Sequence, residues 1–125
     1  MGKVSIEKPF IINQTGIIKC SYDLEGSKLY SVKWYKNGEE FYRFMPGMSE
    51  QTQVFSVPGV IIDLKQSGMR SLHLNTVSRN TGGVFRCEVS TEAPHFYTMV
   101  EAITVNVSGK HMVSQKLTCT AGFDF

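Results

Sequence analysis

Two cysteines, Cys20 and Cys87, and one tryptophan, Trp34, constrain this sequence more than any other feature. The cysteines are 67 residues apart, and each lies in a run in which apolar and polar residues alternate. Alternation of this kind predicts β-strands with one buried face, and it places both cysteines on that face. A disulfide between them would join two strands that are distant in sequence. The alternative is a pair of reduced, buried cysteines in an intracellular β protein.

Short strands separated by turns account for most of the chain up to Val107. Alternating runs rich in β-branched and aromatic residues occur at 31–36, 71–75, 84–89 and 102–107. In the run around Trp34 the alternation places Tyr30, Val32 and Trp34 on one face. Asn37-Gly38 and other Gly- or Pro-containing pairs mark turns between the runs. No helix of two turns or more is indicated, so the pattern predicts an all-β sandwich or barrel.

The order cysteine, tryptophan, cysteine at this spacing is typical of an immunoglobulin-like β-sandwich, in which the disulfide ties two sheets and the indole packs against it. The interval leaves room for two additional strands, which favours the variable (V-set) type over residues 1–107. Two positions before the second cysteine, where a tyrosine usually stands, the chain has Phe85. Thr81 stands where an aspartate is common. We therefore expect the corner before this strand to be less firmly held.

Composition argues against several functional classes. The 13 basic and 11 acidic residues give a formal charge of +2, too close to neutral for a broad nucleic-acid-binding surface. His73, His95 and His111 lack the spacing of metal ligands. No nucleophile elbow, zinc-protease motif or phosphate-binding loop occurs. We therefore expect no enzymatic activity, no cofactor and no bound metal.

A disulfide-linked sandwich predicts an oxidising compartment. Two sequons, at Asn13 and Asn106, are candidate N-glycosylation sites and agree with that compartment. No apolar run approaches the roughly 20 residues that a membrane-spanning helix needs. We expect an extracellular protein, secreted or tethered to the cell surface, whose signal peptide and anchor are absent from this chain.

Four segments carry a more specific likeness. They are YDLEG at 22–26, LYSVKWYK at 29–36, EFYRF at 40–44 and FRCEVSTEAPHF at 85–96. Together they resemble the first immunoglobulin domain of the beaten path (Beat) family of invertebrate neural cell-surface and secreted proteins, over about residues 4 to 107. The resemblance implies heterophilic binding to sidestep-family immunoglobulin receptors, in axon guidance and synaptic partner choice.

The third cysteine, Cys119, is left over when Cys20 pairs with Cys87, and we predict a free thiol there. Beat-like proteins have a second immunoglobulin domain, and the resemblance implies that Cys119 is its first cysteine. We therefore expect residues 108–125 to be a linker and the truncated start of that domain, without ordered structure. The alternative is a chance cysteine in a disordered tail.

The outer face of the sheet that contains strands C, C′, F and G is the candidate partner surface, since exposed aromatic and arginine side chains are enriched at binding hot spots. Alternation selects Lys33, Tyr35, Arg86 and Glu88 on strands C and F. The C′ run, whose register the sequence does not fix, contributes Tyr42, Arg43 and Phe44, and the loop before the last strand contributes Glu92, Pro94, His95 and Phe96.

Other interpretations of this surface stay open. Its aromatic residues could serve cross-strand packing alone. The domain could instead be a soluble immune-type module that binds microbial or small-molecule ligands through its loops, which a deep apolar pocket between those loops would favour. A homophilic dimer is a further, less favoured alternative.

Overall fold

Eight β-strands and one short 3-10 helix occur in residues 2–93 and 96–109, the part of the chain that a computed structural model describes. The strands are β1 (Lys3–Lys8), β2 (Gly16–Ser21), β3 (Leu29–Lys36), β4 (Glu39–Phe44), β5 (Thr52–Val54), β6 (Ser71–Leu74), β7 (Gly83–Thr91) and β8 (Thr98–Val105). The 3-10 helix, Arg79–Thr81, lies between β6 and β7. Pro94, His95, Cys119 and the remainder of 110–125 lie outside the described residues, so the predictions made for them stay predictions.

The strands form two antiparallel sheets. The five-stranded sheet has the order β5-β4-β3-β7-β8, and the three-stranded sheet has the order β1-β2-β6. An isolated bridge between Ile62 and Leu74 extends the smaller sheet, and a parallel bridge joins Ile11 to Ser108. The order of the larger sheet is that of strands C″, C′, C, F and G of a variable-type domain. The predicted all-β immunoglobulin-like sandwich of variable type is therefore confirmed.

The core lies between the two sheets and is crossed by a disulfide between Cys20 on β2 and Cys87 on β7. The Cα atoms of the two cysteines are 6.4 Å apart. Trp34 lies opposite Cys87 in the β3–β7 register and is fully buried. The predicted disulfide is thus confirmed, and it covalently joins the two sheets.

The corner between β6 and β7 is held by Thr81. Its Oγ1 donates a hydrogen bond to the Gly59 carbonyl at 2.7 Å and accepts one from the backbone N–H of Ser78 at 2.9 Å. Phe85 is fully buried and packs edge-on against other rings of the core. The expectation of a less firmly held corner stays a prediction, and the buried threonine hydroxyl bridges two backbone groups there.

Lys36, the last residue of β3, reaches the same corner. Its side chain is buried, and its Nζ donates hydrogen bonds to the carbonyl of Pro58 at 3.0 Å and to the carbonyl of Asn80. Burial lowers the pKa of Lys36, with a smaller opposing effect of the Glu39 carboxylate. Lys36 therefore connects the end of a central strand to a loop and to the 3-10 helix at one end of the sandwich.

Candidate functional site

The turn between β3 and β4 orients both strands of the candidate site. Asn37 and Gly38 have φ angles of +51° and +88°, the pair of left-handed residues that a type I′ hairpin turn requires. The Asn37 side-chain oxygen accepts a hydrogen bond from the Val84 N–H at 2.9 Å. The turn is therefore tied to β7 as well as to its own hairpin.

A β-bulge beyond this turn decides which side chains of β4 face solvent. Tyr35 pairs with Glu40, whereas the preceding Trp34 pairs with Tyr42, so Phe41 is an extra residue on β4. Phe41 and Tyr42 are both fully buried. The bulge thus turns two consecutive residues of β4 into the core and leaves Glu40 on the outer side with Tyr35.

Two residues predicted for the partner surface, Tyr42 and Phe44, do not belong to it. Tyr42 is buried, and its hydroxyl donates a hydrogen bond to the Gly68 carbonyl at 3.2 Å. Phe44 pairs with the fully buried Val32 and packs against the core. Both predictions were wrong, because the bulge shifts the alternation of β4 by one residue.

Tyr30 was also assigned to the wrong side. It was expected to share a face with Val32 and Trp34, yet it is 51% exposed whereas those two are fully buried. An irregularity between Leu29 and Ser31 in the β3–β7 register changes the alternation at this point. Tyr30 is therefore an additional exposed aromatic residue at the start of β3.

Six side chains on the outer side of the five-stranded sheet form what we call the front face: Lys33, Tyr35, Glu40, Arg43, Arg86 and Glu88. They form two rows across β4, β3 and β7, in which Tyr35 lies between Glu40 and Arg86, and Lys33 lies between Arg43 and Glu88. Five of the six were predicted from sequence. Glu40 was not predicted, although its pairing with Tyr35 follows directly from the two-residue turn, and the bulge after it brings Arg43 to the same side.

Tyr35 and Arg86 are in direct contact at the centre of the front face. The Arg86 guanidinium lies 4.2 Å from the centroid of the Tyr35 ring, within the range of a cation–π interaction. Burial raises the pKa of Tyr35, as do the carboxylates of Glu88 and Glu40, while Arg86 lowers it. The ring is therefore neutral at physiological pH and is fixed by its arginine neighbour.

Arg43 extends the front face toward β5. Its Nε and a terminal nitrogen donate to the two carboxylate oxygens of Glu40 at 2.8 and 3.0 Å. Its guanidinium also lies 5.5 Å from the ring centroid of Phe55, which is 39% exposed. Phe55 was not predicted from sequence, since it follows a three-residue strand and no alternation marks its side. A two-pronged ion pair of this kind holds the arginine in one orientation.

The front face continues onto the edge strand β8. Val100 lies opposite Glu88 and is half-exposed, and Val84 on β7 is 46% exposed. The alternating charges of the central rows are thus flanked by apolar side chains. This mixture of aromatic, arginine and aliphatic groups is the composition enriched at the centres of protein interfaces.

The loop between β7 and β8 places its predicted residues differently. Phe96 is 73% exposed and has a positive φ of 47°. Glu92 is half-buried, and its backbone N–H donates a hydrogen bond to the Lys28 carbonyl at 2.9 Å. Of these two, Phe96 offers its side chain to solvent more fully, while Glu92 links the loop to the chain before β3.

A groove lies at the same end of the sandwich, between the loop after β2 and the start of β8. Its volume is about 280 Å³, it is open on one side, and its surface is mostly apolar. The Tyr97 hydroxyl donates a hydrogen bond to the Asp23 carbonyl at 3.1 Å and links the two segments that form the groove. The groove is smaller than the pockets that usually bind drug-sized ligands.

The two sequons lie at the opposite end of the sandwich. Asn13 is exposed, and its backbone N–H donates to the carbonyl of Val77, which precedes the 3-10 helix. Asn106 is exposed and follows Val105, the residue of β8 that pairs with Gly83. Glycans attached here would leave the groove and the nearby half of the front face uncovered.

In residues 2–93 and 96–109 no three histidine, cysteine or acidic side chains are grouped to hold a metal ion. No helix in the same ranges is long and apolar enough to cross a bilayer.

Comparisons with known proteins address the fold. A family model described as "Immunoglobulin domain" matches residues 8–105. The V domain of amphioxus IgVJ-C2 is similar, with a TM-score of 0.62 and 15% identity, over 80% of this chain and 98% of that one. Murine CRIg is also similar, with a TM-score of 0.58 and 17% identity, over 88% of this chain and 98% of that one. No curated protein is significantly similar to the chain.

At identities of 15% and 17% the two solved structures establish a shared fold and nothing about partners. The family model spans most of the sandwich, from the end of β1 to the end of β8. The chain belongs to the immunoglobulin domain family, and its fold is that of a variable-type domain.

Proposed function

We propose that this domain is an extracellular recognition module that binds a protein partner through its front face. The observation that carries the proposal is the contact between Arg86 and Tyr35 at the centre of an exposed sheet. Arginine and tyrosine are among the residues that contribute most to binding energy when a partner excludes water from them. The flanking Val84 and Val100 add exposed apolar area around this centre.

The fixed geometry of the front face supports the same role. Arg43 is held by Glu40, and Arg86 is held against Tyr35, so a partner would meet side chains that are already ordered. Ordering beforehand lowers the entropic cost of association. Alternating positive and negative groups also favour a partner whose charges complement them over one whose charges do not.

The finer proposal is a Beat-like domain that binds a sidestep-like immunoglobulin receptor, in axon guidance and synaptic partner choice. It is supported by the four segments that resemble the Beat family. Three of these segments contribute to β3, β4 and β7, the strands that carry the front face. The segments with the most specific likeness are thus also those that would contact a partner.

An extracellular location is part of the proposal. The disulfide between Cys20 and Cys87 favours an oxidising compartment, and the two exposed sequons agree with passage through the secretory route. Both forms of the finished protein, secreted and tethered to a cell surface, are compatible with this proposal.

A soluble immune-type module that binds small ligands through its loops is the second candidate. The mostly apolar groove beside Tyr97 is the observation that favours it. Its limited volume and open side make this candidate the weaker of the two.

A binding screen tests the proposal. The full chain, immobilised in oxidised form, is exposed by surface plasmon resonance to ectodomains of sidestep-like receptors and to unrelated immunoglobulin ectodomains as controls. We expect saturable binding to at least one sidestep-like receptor and none to the controls. Binding to no member of the panel would contradict the finer assignment. Sedimentation at high protein concentration should give a monomer, and a dimer would instead indicate homophilic recognition.

A further inference from the structure

The groove beside Tyr97 has the dimensions of a site for one long side chain. Its volume of about 280 Å³ equals that of roughly nine water molecules. Leu24, Val89 and Met99 supply its apolar surface, and the Tyr97 ring forms one wall. An aliphatic chain of a few methylene groups would therefore be buried on entering it.

The charges around the groove are of one sign. Among the described residues that line it are two carboxylates, Asp23 and Glu25, and no basic side chain. The chain as a whole carries a formal charge of +2, so this local acidity runs against the overall balance. Asp23, Glu25 and Tyr97 line the same groove, and burial together with the carboxylates of Glu25 and Asp23 raises the pKa of Tyr97.

Arg70 is engaged with Tyr22, one of the residues that line the groove. The Arg70 guanidinium lies 4.0 Å from the ring centroid of Tyr22 and donates a hydrogen bond to the Tyr22 carbonyl at 2.9 Å. Arg70 therefore packs on Tyr22 and does not line the groove. The carboxylates of the groove are left without a basic partner from the lining.

Hydrogen bonds hold the groove open in advance. Tyr97 donates from its hydroxyl to the Asp23 carbonyl, and its backbone N–H donates to the Thr91 hydroxyl at 3.0 Å. One carboxylate oxygen of Asp23 accepts the backbone N–H of Glu25 at 2.8 Å and so fixes the loop after β2. A ligand would meet a formed site, which reduces the cost of binding.

We propose that this groove takes a single arginine or lysine side chain from the protein partner. The aliphatic stem would lie on Leu24, Val89 and Met99, and the cationic head would lie beside Tyr97 and the two carboxylates. The inference rests on the proposed function, because it assumes a protein partner. It adds a second contact point at the end of the strands, β7 and β8, that also carry the front face.

The first test needs no receptor. Nα-acetyl-arginine methylamide is titrated into the isotopically labelled full chain and followed by NMR, with the citrulline analogue as an uncharged control of the same shape. We expect saturable shifts at Leu24 and Tyr97 to Met99 with the arginine compound and none there with citrulline. Equal shifts with both compounds, shifts elsewhere or no shifts at high millimolar concentration would overturn the proposal.

Substitutions test whether binding of the arginine compound depends on the two carboxylates of the groove. The double variant Asp23→Asn/Glu25→Gln should weaken binding of the arginine compound at least several-fold. The matched control Glu39→Gln/Asp63→Asn removes two carboxylates far from the groove and should leave that affinity unchanged. Equal weakening by both pairs would overturn the site, since it would indicate a general charge effect.

A competition experiment identifies the source of the side chain. If a partner's side chain fills the groove, the arginine compound should cause no shifts once the domain is saturated with the receptor. Persisting shifts in the complex would overturn the proposal and indicate a free small cation as the ligand. These experiments also separate this proposal from the proposed function. If the front face does not bind the receptor, front-face variants will leave receptor affinity unchanged. The titration of the free chain with the arginine compound does not depend on that outcome.

Discussion

Lys36 illustrates how this sandwich accommodates a cation away from solvent. Only 6% of the residue is exposed, and its ammonium group donates to the carbonyls of Pro58 and Asn80. The first carbonyl belongs to the loop before β6 and the second to the 3-10 helix, and both would otherwise have to find other donors. The lowered pKa of Lys36, which is caused first by burial, is consistent with a charge that is kept only because these acceptors surround it.

Replacement of Lys36 by methionine should therefore destabilise the domain. Lys36→Met keeps an apolar stem of similar length but leaves two carbonyls without their donor, and we expect a loss of about 1–3 kcal/mol in the free energy of unfolding. Guanidinium denaturation at neutral pH measures this loss of stability. The exposed Lys65→Met is the control and should change stability by less than about 0.5 kcal/mol. Equal stability of the two variants would contradict the structural role of Lys36.

Tyr42 makes a pH-dependent contribution with a defined sign. Burial raises its pKa above the ordinary value of 10.0, and Thr52 opposes this only in part. Because the folded state holds the phenolic proton more tightly, this contribution is fully present below pH 10.0 and is lost as the pH rises through the folded-state pKa. Wild type should lose stability above that pH more steeply than Tyr42→Phe.

Urea denaturation between neutral pH and about pH 11 measures the two slopes. Tyr30→Phe, at a half-exposed position, is the matched control and should follow wild type. A Tyr42→Phe slope identical to that of wild type would contradict burial of the phenol.

At the scale of the elements, alternation predicted β2, β6 and β7 well and predicted the β3–β4 hairpin only in part. Ile18, Cys20, Leu72 and Leu74 are all fully buried, as a period of two requires. In the hairpin, irregularities near Tyr30 and Phe41 shift that period by one residue. The adjacent apolar residues of EFYRF were a visible signal, since two consecutive buried residues do not fit a regular strand.

Parts of the candidate site depend on contacts that no single segment encodes. Phe55 joins the front face only because Arg43 reaches it from the neighbouring strand. The groove forms where Asp23 and Tyr97, which are far apart in sequence, are brought together by the packing of the two sheets. The alternation of apolar and polar residues predicts on which face of a strand a side chain lies. These two features depend instead on how segments distant in sequence are positioned relative to one another.

Substitutions of Thr81 test whether its hydroxyl stabilises the corner between β6 and β7. Thr81→Val keeps the volume of the side chain but removes the hydroxyl that bridges Gly59 and Ser78. We expect a loss of about 1–3 kcal/mol in the free energy of unfolding, because two half-buried backbone groups lose their partner. Thr81→Ser keeps the hydroxyl and should lose less stability than Thr81→Val. A valine variant as stable as the serine variant would contradict the bridging role.

At the scale of the whole molecule, the cysteine–tryptophan–cysteine frame predicted the sandwich, because a single covalent link between distant strands allows few arrangements of the rest. Closing a loop of 67 residues stabilises the folded state by about 4 kcal/mol in the chain-entropy model. The frame could not predict the proposed partner surface. That surface is set by half-buried side chains such as Arg86 and Tyr35 and by the bulge beside them.

The pairing predicts the number of reactive thiols in the intact chain. Alkylation under denaturing conditions without reductant, followed by mass spectrometry, should label one cysteine, Cys119. After reduction, all three cysteines should be labelled. Labelling of Cys20 or Cys87 before reduction would contradict the disulfide in the native protein.

Binding of the partner through the front face can be tested by one affinity measurement. Surface plasmon resonance compares binding of the sidestep-like receptor to wild type and to Tyr35→Ala/Arg86→Glu. The control His73→Ala/Lys19→Glu makes the same kinds of change on the three-stranded sheet, and circular dichroism verifies that both variants are folded. We predict that the front-face variant loses binding while the control retains it. Unchanged affinity of a folded Tyr35→Ala/Arg86→Glu variant would contradict the account.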